Sequence, residues 1–164
     1  MKKLAVILMI GFLSSCGIYS FSGTSIQPDV KSCTVEYFEN KALKVNPSLS
    51  SSLTDALTDK YRKLTSLDMV PENGDLNVAG EITSYDTKPM AVTADEVASQ
   101  NRLTVGVKIY FTNRLHPEED FEKSFSAYAD YDSNQMLDAV EASLCDEIIE
   151  IIVEDIFNAT VANW

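Results

Sequence analysis

Three cations and a tyrosine recur at even spacing in the segment NRLTVGVKIYFTNR, residues 101–114. They are Arg102, Lys108, Tyr110 and Arg114. Side chains of a β-strand alternate between two faces, so all four point the same way if the segment is a strand. Guanidinium and ammonium groups bind phosphates and carboxylates, and tyrosine adds amphipathic contact area. We interpret these residues, joined by Lys88 from a neighbouring strand, as a contact stripe for such groups. An ordinary polar strand surface is the alternative.

A second chemical feature is the cysteine that ends an apolar run near the start of the chain. Two lysines precede this run, residues 4–13, which is shorter than the roughly 20 apolar residues of a membrane-spanning helix. The run ends in LSSC at residues 13–16, the pattern of a bacterial lipobox. Cleavage before Cys16 would leave it acylated, and several acyl chains anchor a protein stably. We predict a lipoprotein signal peptide over residues 1–15; an ordinary signal peptide is the alternative.

The residues after the cysteine predict where the protein is held. Gly17 follows Cys16, and no Asp is present there to suggest retention at the inner membrane. The expected location is therefore the outer membrane, with the protein lipid-anchored on its periplasmic side. Residues 16–31 are rich in Gly and Ser and are predicted to form a lipidated tether, followed by a single domain over residues 32–164.

No catalytic pattern is present in the sequence. It contains no nucleophile elbow, no H-E-x-x-H and no glycine-rich phosphate loop. The single histidine, His116, lies in a proline-containing turn and is predicted to be solvated. Cys33 and Cys145 are either a disulfide or two small buried side chains. We therefore predict a non-enzymatic protein with no metal and no cofactor, apart from the covalent lipid on Cys16.

The composition of the chain limits which ligands it can bind. The 164-residue chain is 45% hydrophobic and 23% charged, which is ordinary for a globular protein. Its net charge is -12, and removing residues 1–15, which hold two lysines and no acid, gives -14. Such a body is not expected to bind nucleic acid or an anionic lipid surface non-specifically. An anionic ligand therefore requires a local basic stripe.

The stripe depends on a strand, and apolar alternation predicts one over residues 101–113. A turn near His116 should pair it with a second strand, which begins at Phe121, as an antiparallel hairpin. Further strands are predicted over residues 33–38, 67–71 and 76–88, the last after the turn Asn73-Gly74. Residues 89–100 are predicted to form a loop.

Two amphipathic helices complete the pattern. The first opens at Asn46-Pro47, with Asn as the cap, and ends near Leu64. The second follows a capping box formed by Asp132 and Gln135. Its predicted apolar side consists of Leu137, Val140, Leu144, Ile148, Ile151, Ile152 and Ile156. Helices and strands that are each apolar on one side predict an α+β fold, a two-layer α/β sandwich with a mostly antiparallel sheet and two helices packed on one face. The other face of the sheet stays open.

Several segments together resemble the LPS-assembly lipoprotein family LptE. They are CGIYSFSG after the lipobox, VEYFEN at 35–40, NRLTVGVKIYFTN at 101–113, FEKSFSAYADYDS at 121–133 and EDIFNATVANW at 154–164. The resemblance implies the same two-layer sandwich. It also implies a role inside the lumen of an LptD-type outer-membrane β-barrel, in barrel assembly and in lipopolysaccharide insertion into the outer leaflet. Lipopolysaccharide itself is an implied ligand of the sheet side in some members. A free-standing ligand-binding lipoprotein with no barrel partner is the alternative.

Overall fold

The structure, a computed structural model, describes residues 26–44, 46–90 and 99–161. Cys16, the predicted lipidation site, lies outside the described residues, as does most of the loop predicted over residues 89–100. In the described ranges no helix is long and apolar enough to cross a membrane.

A six-stranded sheet forms one layer, in the order β3-β1-β4-β5-β6, with β2 pairing alongside β4. The strands are β1 (Ser32–Val35), β2 (Glu39–Asn40), β3 (Asp68–Met69), β4 (Leu76–Pro89), β5 (Gln100–Asn113) and β6 (Phe121–Asp132). The three long strands β4, β5 and β6 pair antiparallel. The short strands β1 and β2 pair parallel to β4, because the chain returns from them to β4 through a helix. The predicted mostly antiparallel sheet is confirmed.

Two helices, α1 (Leu49–Leu64) and α2 (Leu137–Thr160), form the second layer. The apolar side of the sheet meets them in one continuous core. Tyr61 of α1 is fully buried and contacts the Phe157 ring edge-on, with the centroids 5.4 Å apart. The predicted α+β sandwich with both helices on one face is therefore confirmed.

Both predicted helix starts are wrong by a few residues. The Asn46 side chain accepts hydrogen bonds from the backbone N–H and hydroxyl of Ser48, at 3.0 and 2.9 Å. It therefore closes a turn, and α1 begins after it, at Leu49. The Asp132 carboxylate likewise accepts from the backbone N–H of Asn134 at 2.8 Å, so the predicted capping box does not form.

The stripe predicted for α2 is also wrong in part. Ile151 is 42% exposed, whereas Ile149, Val153 and Phe157, which were not included, are buried. On α1, Leu64 lies at the last residue and is 53% exposed. A helix that packs on both a sheet and a second helix requires a wide apolar face, with two adjacent buried positions in each turn.

Burial also explains why the two cysteines of the domain are unreactive. Cys33 in β1 and Cys145 in α2 are both buried and free. Burial raises the pKa of Cys33 to about 12, and burial also raises the pKa of Cys145. The two thiols therefore behave as small apolar side chains rather than as a disulfide or reactive groups.

Asp75 joins the start of β1 to the end of β5. Its carboxylate accepts hydrogen bonds from the backbone N–H groups of Lys31 and Ser32, at 3.0 and 3.1 Å, and from the Ser32 hydroxyl at 2.9 Å. The other oxygen accepts from the Arg114 guanidinium at 2.6 Å. The backbone N–H of Lys31, followed by Arg114 and Ser32, lowers the pKa of Asp75 well below its usual range.

Residues 26–31, part of the predicted tether, already contact the domain. Val30 is buried, and the Asp29 carboxylate lies 3.0 Å from Nε2 of His116. On its other side His116 faces Glu118, whose carboxylate is 3.5 Å from Nδ1. The bond to Asp29 raises the pKa of His116 and lowers the pKa of Asp29. His116 is therefore an ion-pair partner of the incoming chain and is not simply solvated.

Replacing Asp75 by Asn should lower the free energy of unfolding by about 2 kcal/mol at pH 7, because hydrogen bonds to a charged group contribute about 1.5–3 kcal/mol. Because the pKa of Asp75 is lowered in the folded state, its carboxylate stabilises the fold at pH values above the ordinary pKa of an aspartate. This stabilisation is lost as the pH falls through the lowered pKa. Urea denaturation at several pH values measures both effects. Exposed Asp86→Asn is the matched control. An equal loss in both variants would contradict this account.

His116 should titrate above its ordinary pKa of 6.5, and Asp29→Asn should move the pKa back toward that value. At pH values below the ordinary pKa of histidine, the pair of His116 with Asp29 stabilises the contact of residues 26–31 with the domain. This stabilisation is lost as the pH rises through the raised pKa of His116. Proton NMR of a tag-free chain lacking residues 1–15 gives the value directly, since the sequence has one histidine. The pairing would be refuted if the pKa of His116 were the same in the wild type, in Asp29→Asn and in the control Glu72→Gln.

Candidate partner-binding surface on the open face of the sheet

The open face is the side of β4, β5 and β6 turned away from the helices. On β5, Leu103, Val105, Val107 and Ile109 are buried beneath the helices, so the residues between them point outward. Arg102, Lys108 and Tyr110 all lie on this face, as the sequence spacing predicts. The face is the surface on which the predicted stripe must act.

Lys88 reaches the open face through an irregularity in β4. Strict alternation from Leu76, Val78 and Ile82 would turn Lys88 toward the core. The register shifts between Ile82 and Ser84, a β-bulge that re-phases the strand. Beyond it Tyr85 is buried and Lys88 lies directly opposite Arg102. Two cations placed directly opposite each other repel, so this corner favours an acidic neighbour.

Arg102 already has such a neighbour on β6. Its Nε and one terminal nitrogen donate to the two Asp130 oxygens at 2.7 Å each, a bidentate pair. Its guanidinium also stacks on the Tyr128 ring, 3.5 Å from the centroid. The bond to Asp130 raises the pKa of Arg102, and the bond to Arg102 lowers the pKa of Asp130. The Arg102 side chain is thus fixed in place rather than free in solvent.

Lys108 is held in a similar way at the other end of the face. Its ammonium pairs with the Glu122 carboxylate and lies 5.1 Å from the Tyr110 ring centroid. The bond to Glu122 raises the pKa of Lys108. Glu81 lies opposite Lys108 on β4 and pairs at 2.7 Å with Lys41. Cations and carboxylates therefore alternate across the strands.

Arg114 lies at the end of the stripe, one residue beyond β5 and beside Thr112 and Asn77 of the open face. β5 ends at Asn113, and the Arg114 guanidinium turns to Asp75, where it joins β5 to the start of β1. Its backbone N–H also donates to the Asp75 carbonyl at 2.8 Å. The even spacing therefore places Arg114 at the border of the face, although the strand itself ends one residue earlier. It therefore has a role inside the fold and borders the open face.

The acidic partners and Tyr128 are the residues that the sequence reasoning missed. Asp130 and Glu122 are on β6, at even spacing with Tyr128 between them. The hairpin register, Arg102 opposite Asp130 and Tyr110 opposite Glu122, could have identified them once the turn length was known. The stripe is therefore a mosaic of paired charges with two partly exposed tyrosines, Tyr110 at 37% and Tyr128 at 51%.

Such a mosaic can bind a partner of complementary charge. Among the described residues no His, Cys, Asp and Glu cluster could hold a metal ion. Each internal ion pair on the face can exchange for a pair with a partner, which gives specificity for a surface of complementary charge. These features define an α+β domain that presents a charged sheet face.

The family model of LptE, described as lipopolysaccharide-assembly, matches residues 30–160, and the chain belongs to this family. This confirms the resemblance seen in the sequence. LptE is a family of envelope lipoproteins that assist lipopolysaccharide assembly without enzymatic activity and without a cofactor. No curated protein matches the chain at a significant level.

Solved structures share the fold at low identity. A Xanthomonas campestris protein is 10% identical with a TM-score of 0.54, over 79% of this chain and 86% of that chain. A hypothetical protein of Chlamydia trachomatis is 10% identical with a TM-score of 0.52, over 79% and 97%. PelC of Paraburkholderia phytofirmans, solved as a dodecamer, is 10% identical with a TM-score of 0.50, over 80% and 89%. These likenesses show the fold alone.

Freeing Arg102 from its internal partner should expose it to anions. We expect Asp130→Asn to bind vesicles containing a lipid phosphate monoester about fivefold more tightly than the matched variant Asp132→Asn, since one cation near an anionic surface contributes about 1 kcal/mol. Both variants remove one negative charge from the same face of β6. Vesicle co-sedimentation at low salt measures the difference. Equal binding by the two variants would show that the Asp130 pair does not restrain Arg102.

Proposed function

We propose that this chain is an outer-membrane lipoprotein, anchored on the periplasmic side through acyl chains on Cys16. Its domain occupies the lumen of an LptD-type β-barrel, assists assembly of that barrel, and supports lipopolysaccharide transport and insertion into the outer leaflet. The family match over residues 30–160 carries this proposal. The lipobox at residues 13–16 supports the anchor.

The open face supports a polar lumen as its partner. The interior of a transmembrane barrel is polar, and lumen side chains project from alternate strand positions. Arg102 and Lys108 with their carboxylates offer donors and acceptors for such a wall, and Lys88 has no ion-pair partner among the described residues. Tyr110 adds contact area to these cations, and Arg114 borders them.

Lipopolysaccharide is the second proposed ligand of the same face. Its phosphates would replace Asp130 and Glu122 as partners of Arg102 and Lys108. The net charge of -14 after removal of residues 1–15 opposes this exchange except where cations cluster. Contact with the barrel is therefore the principal role in the proposal, and phosphate contact is secondary.

The same proposal includes the absence of enzymatic activity. The carboxylates of the open face are engaged with cations and are not poised as an acid and base. The alternative remains a free-standing lipoprotein that captures a periplasmic ligand. Purification of the tagged, lipidated chain from detergent-solubilised outer membrane distinguishes the two functions, because the alternative has no barrel partner.

We expect the wild-type chain to co-purify with a large barrel in about equal amounts, and Arg102→Glu/Lys108→Glu to capture at least about tenfold less. The reversal sets like charges beside Asp130 and Glu122 and removes both donors. Lys44→Glu/Lys123→Glu makes the same charge change at two exposed lysines outside the stripe and should capture the barrel normally.

Each outcome has a separate meaning. Unchanged capture and unchanged lipopolysaccharide binding by Arg102→Glu/Lys108→Glu would remove the open face from the proposal. A wild-type chain that captures no barrel would refute the proposed function and favour the free-standing lipoprotein.

A further inference from the structure

A groove between the two helices lies in the layer opposite the open face. It encloses about 510 Å³ and opens to solvent. Its apolar floor is formed by Ala56 and Leu64 of α1 and by Ile149 and Val153 of α2. Leu64, at the end of α1, is more than half exposed and so remains uncovered within the domain.

The two rims of the groove differ in how their charges are satisfied. On the α1 rim, Asp59 pairs with Arg62 at 2.7 Å and with Lys63 at 3.8 Å, and Lys60 pairs with Glu154 across the groove. On the α2 rim, Asp146 and Glu150 have no cation within ion-pair distance in the described part of the chain. The groove therefore offers an apolar floor beside carboxylates that lack partners.

The acidic residues of the α2 rim destabilise the helix that carries them. Asp146, Glu150 and Glu154 follow one another at four-residue spacing, and like charges at this spacing destabilise a helix. α2 carries seven acidic residues and no Lys or Arg over its 24 residues, and its last turn has no basic residue to favour the helix dipole. Helix stability does not explain this row, whereas an external cationic partner would offset its repulsion.

We propose that this groove docks a strand of the barrel lumen that carries Lys or Arg at alternate positions. The inference rests on the proposed function and adds a second contact, made by the helix layer. Asp146 and Glu150 would pair with the cations, and Ala56, Ile149 and Val153 would receive the apolar parts of the same side chains.

The spacing of the row is compatible with a strand, which is the element that lines a barrel. Residues four apart on a helix are separated by about 6.0 Å along its axis, from a rise of 1.5 Å per residue. Residues two apart on a strand, which point to the same side, are separated by about 6.6–6.8 Å. Successive lumen-facing cations of one strand therefore match successive carboxylates of the α2 rim.

The test uses the full lipidated chain co-expressed with its barrel and purified from outer membrane. Asp146→Lys/Glu150→Lys should capture at least about fivefold less barrel than wild type. The matched control Glu147→Lys/Asp155→Lys makes the same charge change on the other exposed flank of α2 and should stay within about twofold of wild type. A neutral variant, Asp146→Asn/Glu150→Gln, avoids new repulsion and should give an intermediate loss.

A photo-crosslinking residue gives a second measurement that does not depend on charge. Placed at Glu150, it should form an adduct with a lumen strand of the barrel; placed at Glu147, it should not. Equal capture by both lysine variants, or adducts from Glu147 alone, would overturn the groove contact while wild-type capture still upholds the proposed function. A wild-type chain with no barrel would overturn both.

Discussion

The alternation of apolar and polar side chains along β5 is the constraint on which the rest of the molecule depends. Val107 and Ile109 are fully buried under the helices, while Lys108 between them faces outward. Full burial of one large aliphatic side chain contributes about 1.5–3 kcal/mol, so the core fixes the register of the strand. A slip of one residue would turn Lys108 into the core and expose its neighbours. The composition of the open face is therefore set by the packing of the opposite face.

The pairing of charges on that face determines what it can bind. Arg102 is held by Asp130 and Tyr128, and Lys108 by Glu122, so the face presents oriented donors and acceptors rather than a uniform positive surface. A partner must replace each pair with one of similar quality, because a charge that is desolvated and left unpaired is costly. This requirement favours a partner whose polar groups are arranged to match. A wall of fixed lumen side chains meets it better than a mobile anion does.

Sequence periodicity predicts the layers and most of the open face, because the side-chain period of a strand is a local property. It places Arg102, Lys108 and Tyr110 correctly from spacing alone. It does not predict the bulge that turns Lys88 outward, since a bulge depends on the register with the neighbouring strand. Nor does it predict that Asp75, far away in the sequence, pairs with the Arg114 guanidinium. The Asn46 and Asp132 side chains close turns instead of capping helices, because both uses of the side chain are local hydrogen bonds that the sequence pattern does not distinguish.

The central claim is that the open face contacts the barrel. Hydroxyl-radical footprinting of the purified chain and of the barrel-bound chain, read by mass spectrometry, tests this directly, because Tyr110 and Tyr128 are partly exposed on that face in the free domain. Met136, 82% exposed and outside β4, β5 and β6, reports any general loss of reactivity. The account predicts that oxidation of Tyr110 and Tyr128 falls strongly in the bound chain. Unchanged oxidation of both tyrosines in a complex that remains intact would contradict it.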